Sequence, residues 1–141
     1  MGRAAPRGLK FFFDACFPKS LARALGELDG QNTYVHLFED QRFRRDTADV
    51  DWIRQLNADE LVVSGDGRIL KRAPERAVWV ECCLRGFFLN DTFPNKPLWE
   101  QAKFVVDRWE KVIRTASASK PGECFRLPWC AGPKVEPWDG K

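Results

Sequence analysis

Leu9-Lys10-Phe11-Phe12-Phe13-Asp14 is an apolar run that stops at a carboxylate. Four residues later Pro18 opens a segment in which Leu21, Ala24, Leu25 and Leu28 fall at i, i+3, i+4 and i+7. The pattern reads as a buried strand, a short turn and an amphipathic helix that packs back on the strand. Pro18 suits the first helical turn, where its missing N–H is not needed, and Gly30 marks the stop. In an open parallel sheet, ligands bind beyond the carboxyl ends of the strands. Asp14 is therefore expected on that edge.

The chain downstream repeats this grammar. Thr33-Tyr34-Val35-His36-Leu37-Phe38 reads as a second strand that closes on Glu39-Asp40,. A basic loop, Gln41-Arg42-Phe43-Arg44-Arg45, follows. Asp46 or Thr47 is a candidate cap for a helix with Asp49 and Asp51 in its first turn and Trp52, Ile53 and Leu56 on its apolar face. Leu61-Val62-Val63-Ser64-Gly65-Asp66 is a third buried strand ending in an acid,. Pro74 begins another helix, and Gly86-Phe87-Phe88-Leu89 is a fourth strand. Asn95 is expected to cap a long helix whose face is Leu98, Ala102, Val105, Val106, Trp109 and Ile113. Cys124-Phe125-Arg126-Leu127 is a last edge strand, and the stretch from Gly132, with Pro133 and Pro137, is expected to be loose. The alternation implies a three-layer α/β/α sandwich with a mainly parallel sheet. Its expected limits are an extension over 1–8, a domain over 9–130 and a tail over 131–141.

The composition fits one such domain. The 141 residues are 44% hydrophobic and 30% charged, and the formal charge of +3 is too mild to argue nucleic-acid binding by itself,. No run is long enough to span a bilayer, and the first seven residues lack a secretory apolar core, so the expected location is the cytoplasm. Five cysteines, an odd count, argue for reduced thiols,. Cys16, Cys82 and Cys83 lie in apolar stretches and are expected to be buried. Cys124 and Cys130, with a single histidine at His36, do not make a zinc site,.

The topology would gather Asp14, Glu39 or Asp40, and Asp66 on one edge, with Asp49 in reach. Two ionised carboxylates about 4 Å apart repel by roughly 4 kcal/mol at a surface-like dielectric constant. A cation relieves that cost, and hard oxygen ligands suit Mg²⁺ or Mn²⁺. Such an ion can activate a water and stabilise the leaving oxygen of a phosphodiester.

Phe12-Phe13-Asp14 with its following helix, Asp49-Val50-Asp51-Trp52-Ile53, and Leu61-Val62-Val63-Ser64-Gly65-Asp66 together resemble, in order and spacing, the PIN-like domains. The resemblance covers roughly residues 9 to 90 and is similar to the VapC-type toxins of toxin–antitoxin pairs. It implies a metal-dependent ribonuclease with Asp14, Asp49 and Asp66 as catalytic, metal-binding acids. The family's further acid has no clean match here; Glu39, Asp40 and Asp51 are the candidates for it, with Asp40 and Asp51 also candidate metal ligands. The resemblance also implies an antitoxin that covers the acids, in a hetero-oligomer or beside self-association.

Basic residues near the expected edge would meet RNA phosphates: Lys19, Arg42, Arg44, Arg45, Arg68 and Lys71. Phe43 among them would stack on a base. Two other classes stand beside this one. Receiver-like phosphoacceptor domains also end strands in acids and carry a Lys-Pro pair, as Lys96-Pro97 is here, but they pair acids after the first strand, where this chain has Ala15. A PIN-like module without catalysis is the other.

Overall fold

The computed structural model describes residues 8–65 and 67–140. Ten regular elements follow one another: β1 (Lys10–Phe13), α1 (Lys19–Leu28), β2 (Thr33–His36), α2 (Asp49–Gln55), β3 (Glu60–Ser64), α3 (Ala73–Cys82), β4 (Arg85–Leu89), α4 (Leu98–Ala118), β5 (Cys124–Leu127) and β6 (Glu136–Pro137). Short 3-10 turns occupy Leu37–Glu39, Arg68–Lys71 and Phe93–Asn95. The six strands form one sheet in the order β2-β1-β3-β4-β5-β6. All pairings are parallel except that of β6 with β5. The α/β fold expected from the sequence is the fold observed.

Alternation along the strands builds the two outer layers. Phe11, Phe13, Leu61, Val63, Phe87 and Leu89 point to one face, where Leu21, Ala22 and Leu25 of α1 and Phe104, Val105, Trp109 and Val112 of α4 cover them. Phe12, Val62 and Phe88 point to the other, under Trp52 and Ile53 of α2 and Val78 and Trp79 of α3. Strands buried on both faces read as continuous apolar runs, which is why Phe11-Phe12-Phe13 shows no polar residue. Each fully buried Phe contributes roughly 2–3 kcal/mol of transfer free energy.

Two polar clasps tie the layers to the sheet. Tyr34 on β2 donates its hydroxyl to Asp29 Oδ2 at 2.6 Å and accepts from Trp109 Nε1 on α4 at 2.9 Å. His36, at the carboxyl end of β2, is buried. Its Nδ1 accepts from the Phe38 N–H at 3.1 Å, so Nε2 carries the proton and donates to the Phe17 carbonyl at 2.6 Å,. Burial, with the nearby Lys19 and Arg45 charges, keeps its pKa below the ordinary histidine value despite that carbonyl and Glu39. His36 thus fastens the turn after β1 to the turn after β2 as a neutral ring.

Several local expectations are corrected. The cap of α2 is Ala48, which makes no side-chain cap bond; the acids Asp49 and Asp51 in the first turn favour the helix dipole instead,. The long helix is capped by Pro97 rather than Asn95. Its buried face includes Gln101 and Arg108, while Leu98 and Val106 are exposed. The polar letters hid the core positions because their terminal nitrogens reach backbone carbonyls inside. Gln101 Nε2 donates to the Phe93 carbonyl at 2.8 Å, and Arg108 donates to the carbonyls of Phe104, Cys130 and Gly132 at 3.1, 2.5 and 2.6 Å,. Cys16 and Cys83 are exposed rather than buried, because they sit in turns at the ends of β1 and α3, and the cysteines are free thiols. The segment expected as a loose tail pairs with β5 through Glu136–Pro137 and packs Trp138 against the sheet. No helix among the described residues is long and apolar enough to cross a membrane.

Candidate active site

Asp14 follows the last residue of β1 and is 5% exposed. Its backbone N–H still belongs to the sheet, donating to Val63 O at 3.2 Å. Its carboxylate reaches across to β3. Oδ2 accepts from Ser64 Oγ at 2.6 Å, and Oδ1 accepts from the N–H groups of Gly65 at 3.1 Å and Cys16 at 3.2 Å. By the alternation of β1 and β3, Asp14 and Ser64 continue the Phe12 and Val62 series onto the face covered by α2 and α3. The sheet thus ends here in a fixed, desolvated carboxylate between the first and third strands, at the edge where open α/β sheets bind ligands.

Gly65 makes the arrangement possible. A Cβ on it would fall 2.1 Å from the Cys16 carbonyl oxygen. The turn after β1 is therefore packed directly on the backbone of the turn after β3, which brings the Gly65 N–H to Asp14. Asp66, the next residue, lies outside the described residues.

The other sequence-derived acids lie on other elements. Asp49 opens α2 and accepts from Trp52 Nε1 at 2.9 Å, with Arg72 Nη1 at 3.5 Å from its second oxygen. It stands on the same sheet face as Asp14 but serves Trp52 and Arg72. Asp51, two residues on, is exposed. Asp40 departs from the expectation. Arg42 lies between two buried carboxylates, 2.7 Å from Asp40 Oδ2 and 2.7 Å from Glu60 Oε1. Glu60 is the first residue of β3, so this triad sits at the amino end of the strand, four residues before Ser64. At about 3.3 Å per residue that is roughly 13 Å from the Asp14 edge. Asp40 and Arg42 are thus corrected from site residues to a structural ion-pair cluster.

That cluster has a pH signature. Burial pushes the Asp40 carboxyl up, but the hydrogen bonds and charge of Arg42 outweigh it and hold the pKa below the ordinary value. A carboxyl lowered in the folded state stabilises above its unfolded pKa and loses that contribution as pH falls through the folded one. The melting temperature is expected to drop from about pH 4 downward. An Arg42→Met variant should show a shallower drop over that range in a pH series of thermal melts. An unchanged acid slope would mean that the cluster does not govern it.

The basic residues divide in the same way. Lys19 opens α1 and Arg45 lies over the Phe38 ring at 4.3 Å; both charges act on His36, so they flank the edge at the end of β2. Arg44 is exposed, with Asp46 at 3.5 Å. Arg68 begins the 3-10 turn after β3 and is exposed. Phe43 does not offer a free ring: it meets Phe12 edge-on at 5.8 Å and carries Arg42 over it at 5.1 Å. The ring is half-buried against the core.

One acid was missed in the sequence. Asp91 stands two residues past β4, and with Arg68, Pro94 and Asn95 it lines a cavity of about 250 Å³. The signal was present: Phe87-Phe88-Leu89-Asn90-Asp91 is again an apolar strand running into an acid at the same sheet edge. Among the described residues, no three His, Cys, Asp or Glu side chains gather as a metal site. Asp14 and Ser64 carry hard oxygen donors of the kind that Mg²⁺ or Mn²⁺ prefers.

A family model described as a PIN like domain matches residues 9–91, from just before β1 through Asp91. No curated protein matches the chain, and no solved structure does.

Proposed function

The chain belongs to the PIN-like domain family, and on that premise we propose that it is a metal-dependent ribonuclease that hydrolyses RNA phosphodiesters. The observation that carries the reading is Asp14: a carboxylate removed from water, fixed by Ser64 and Gly65, at the ligand-binding edge of a parallel sheet. A buried carboxylate is costly unless charge and hydrogen bonds compensate it. Functional sites are where a fold accepts that cost.

In this reading Asp14 and Asp66 hold Mg²⁺ or Mn²⁺, with Asp49 and Asp91 as the further acids on the same side. The bound ion supplies an activated water and offsets charge at the scissile phosphate. The protein's own residues do the rest. Ser64 and the Gly65 N–H keep the Asp14 carboxylate in one orientation, so no reorganisation is needed as the reaction proceeds. Lys19, Arg44 and Arg45 on one flank and Arg68 on the other attract the RNA backbone and set its register without reading sequence.

We also propose that this is the toxin of a toxin–antitoxin pair. Its antitoxin would insert an Arg or Lys among the acids, forming charge-assisted hydrogen bonds where the metal would otherwise sit. Inhibition should then weaken as Mn²⁺ is raised.

The test is cleavage of single-stranded RNA by purified protein in Mn²⁺, with EDTA as the blank and Asp66→Asn as the variant. The parent is expected to cleave only with metal, and the variant to lose about 100-fold or more in rate while keeping its melting temperature. Equal cleavage by Asp66→Asn would remove that acid from the site. No binding of Mn²⁺ at millimolar concentration would favour an interaction module without catalysis.

A further inference from the structure

Helix α4 carries an apolar stripe that the fold leaves uncovered. Its buried face, which includes Phe104, Val105, Trp109 and Val112, lies on the sheet. At 3.6 residues per turn, Trp99, Ala102, Val106 and Ile113 fall within an arc of about 60° on one shoulder of that face. Ala102 and Ile113 are half-buried beside the core. Trp99 is 80% exposed and Val106 46%. Single exposed apolar side chains are ordinary, but a contiguous row that includes a tryptophan marks a contact surface. The helix lies beyond the residues that the family model matches.

The charges beside the stripe say what covers it. Glu100, Lys103, Glu110 and Arg114 run along its outer border in the order acid, base, acid, base, and all are exposed. Within the chain Glu110 and Arg114 are 3.9 Å apart in water, a pair that is cheap to exchange for another,. A second copy of α4, laid antiparallel about a two-fold axis near Val106, sets Lys103 opposite Glu110 of the other copy. It also sets Glu100 opposite Arg114 of the other copy, and the symmetry repeats both pairs. The same operation lays Val106 on Val106 and Trp99 against Ile113. A parallel pairing would instead oppose Lys103 to Lys103 and Glu110 to Glu110.

We propose that α4 is a homodimer interface: two copies of this chain pair antiparallel along the stripe from Trp99 to Ile113, clasped by Lys103–Glu110 and Glu100–Arg114 ion pairs between copies. The N-terminus of α4 follows β4 and so lies at the sheet edge that carries Asp14. The two-fold axis reverses the helix, so the two Asp14 edges stand at opposite ends of the dimer. The stripe is about 21 Å long. An interface of one helix per copy is at the small end of the range for specific contacts, so the dissociation constant is expected at about 1–50 µM.

The test is sedimentation equilibrium of the purified full chain from about 1 to 300 µM, which spans that range. The variants are Val106→Glu, Lys103→Glu and Glu110→Lys, with Val80→Glu as the control. Val80 is 64% exposed on α3, on the other sheet face. Thermal melts check that each variant is folded.

The parent is expected to show a monomer–dimer equilibrium. Val106→Glu should raise the dissociation constant about 30-fold or more, while Val80→Glu stays within about threefold of the parent. Lys103→Glu and Glu110→Lys each oppose like charges at two symmetric places and should each raise it about tenfold. An equimolar mixture of those two variants should associate about as tightly as the parent, because the mixed dimer again sets a base opposite an acid at both places. Should Val106→Glu not fold, the charge variants, which alter exposed side chains, decide alone. A parent that stays monomeric throughout the range overturns the inference, whether or not another protein binds the stripe. So does a dimer that Val106→Glu weakens no more than Val80→Glu does, or a mixture of the charge variants that associates no better than either alone.

Discussion

Alanine in place of Gly65 is expected to lower the melting temperature by about 10 °C. The added Cβ would lie 2.1 Å from the Cys16 carbonyl oxygen, 2.4 Å from its carbon and 2.9 Å from the Cys16 Cβ. Two of those atoms are backbone, so no side chain can swing aside to make room. Overpacking of this kind costs about 1–3 kcal/mol and sometimes more. Moving the two turns apart also strains the 3.1 Å bond from the Gly65 N–H to Asp14 Oδ1, which adds about 1 kcal/mol or more,. For a domain of this size each kcal/mol shifts the melting point by roughly 2–4 °C. Gly30 is the control, since a Cβ there meets nothing within 4 Å. Gly30→Ala should stay within about 0.5 kcal/mol of the parent. A Gly65→Ala protein that melts with the parent would show that the two turns are not in contact.

Asp14 should separate structure from chemistry when two substitutions are compared. Asparagine keeps an oxygen for the Gly65 and Cys16 N–H groups, and its amide can donate to Ser64, whose hydroxyl turns to accept. Asp14→Asn should therefore cost only about 1 kcal/mol. Alanine leaves those N–H groups and the Ser64 hydroxyl without the carboxylate they bond. Asp14→Ala should cost about 2–4 kcal/mol in denaturant melts. Composition and topology alone suggest the reverse sign, a repelling acid whose neutralisation relieves strain. The hydrogen bonds to Asp14 decide otherwise, because they make it an acceptor that the local fold requires.

The pattern of apolar runs ending in acids made the sheet and the edge that carries Asp14 readable. Phe11-Phe12-Phe13 and Leu61-Val62-Val63 are buried on both faces, so their strands could be found without any long-range information. What joins Asp14 could not be found that way. Ser64 and Gly65 lie fifty residues further on, and only the parallel register of β1 with β3 brings them to it. Asp40 was misread for a related reason. It follows a strand as Asp14 does, but a 3-10 turn carries the chain back along the sheet, and the core contact of Phe43 with Phe12 delivers Arg42 to Glu60. Arg108 and Gln101 hid a helix face because their letters are polar and their partners are backbone carbonyls. Trp138 was passed over because prolines and glycines around it suggest a loose end, whereas a two-residue strand and the bond from Arg76 to the Asp139 carbonyl hold it.

The most direct measurement of the central claim is RNA cleavage by Asp14→Asn beside the parent, in Mn²⁺, at a temperature where both are fully folded. The account predicts a rate lower by about 100-fold or more in the variant, with melting temperatures only a few degrees apart. Cleavage by Asp14→Asn at the parental rate would contradict it and leave Asp14 as a structural acceptor alone.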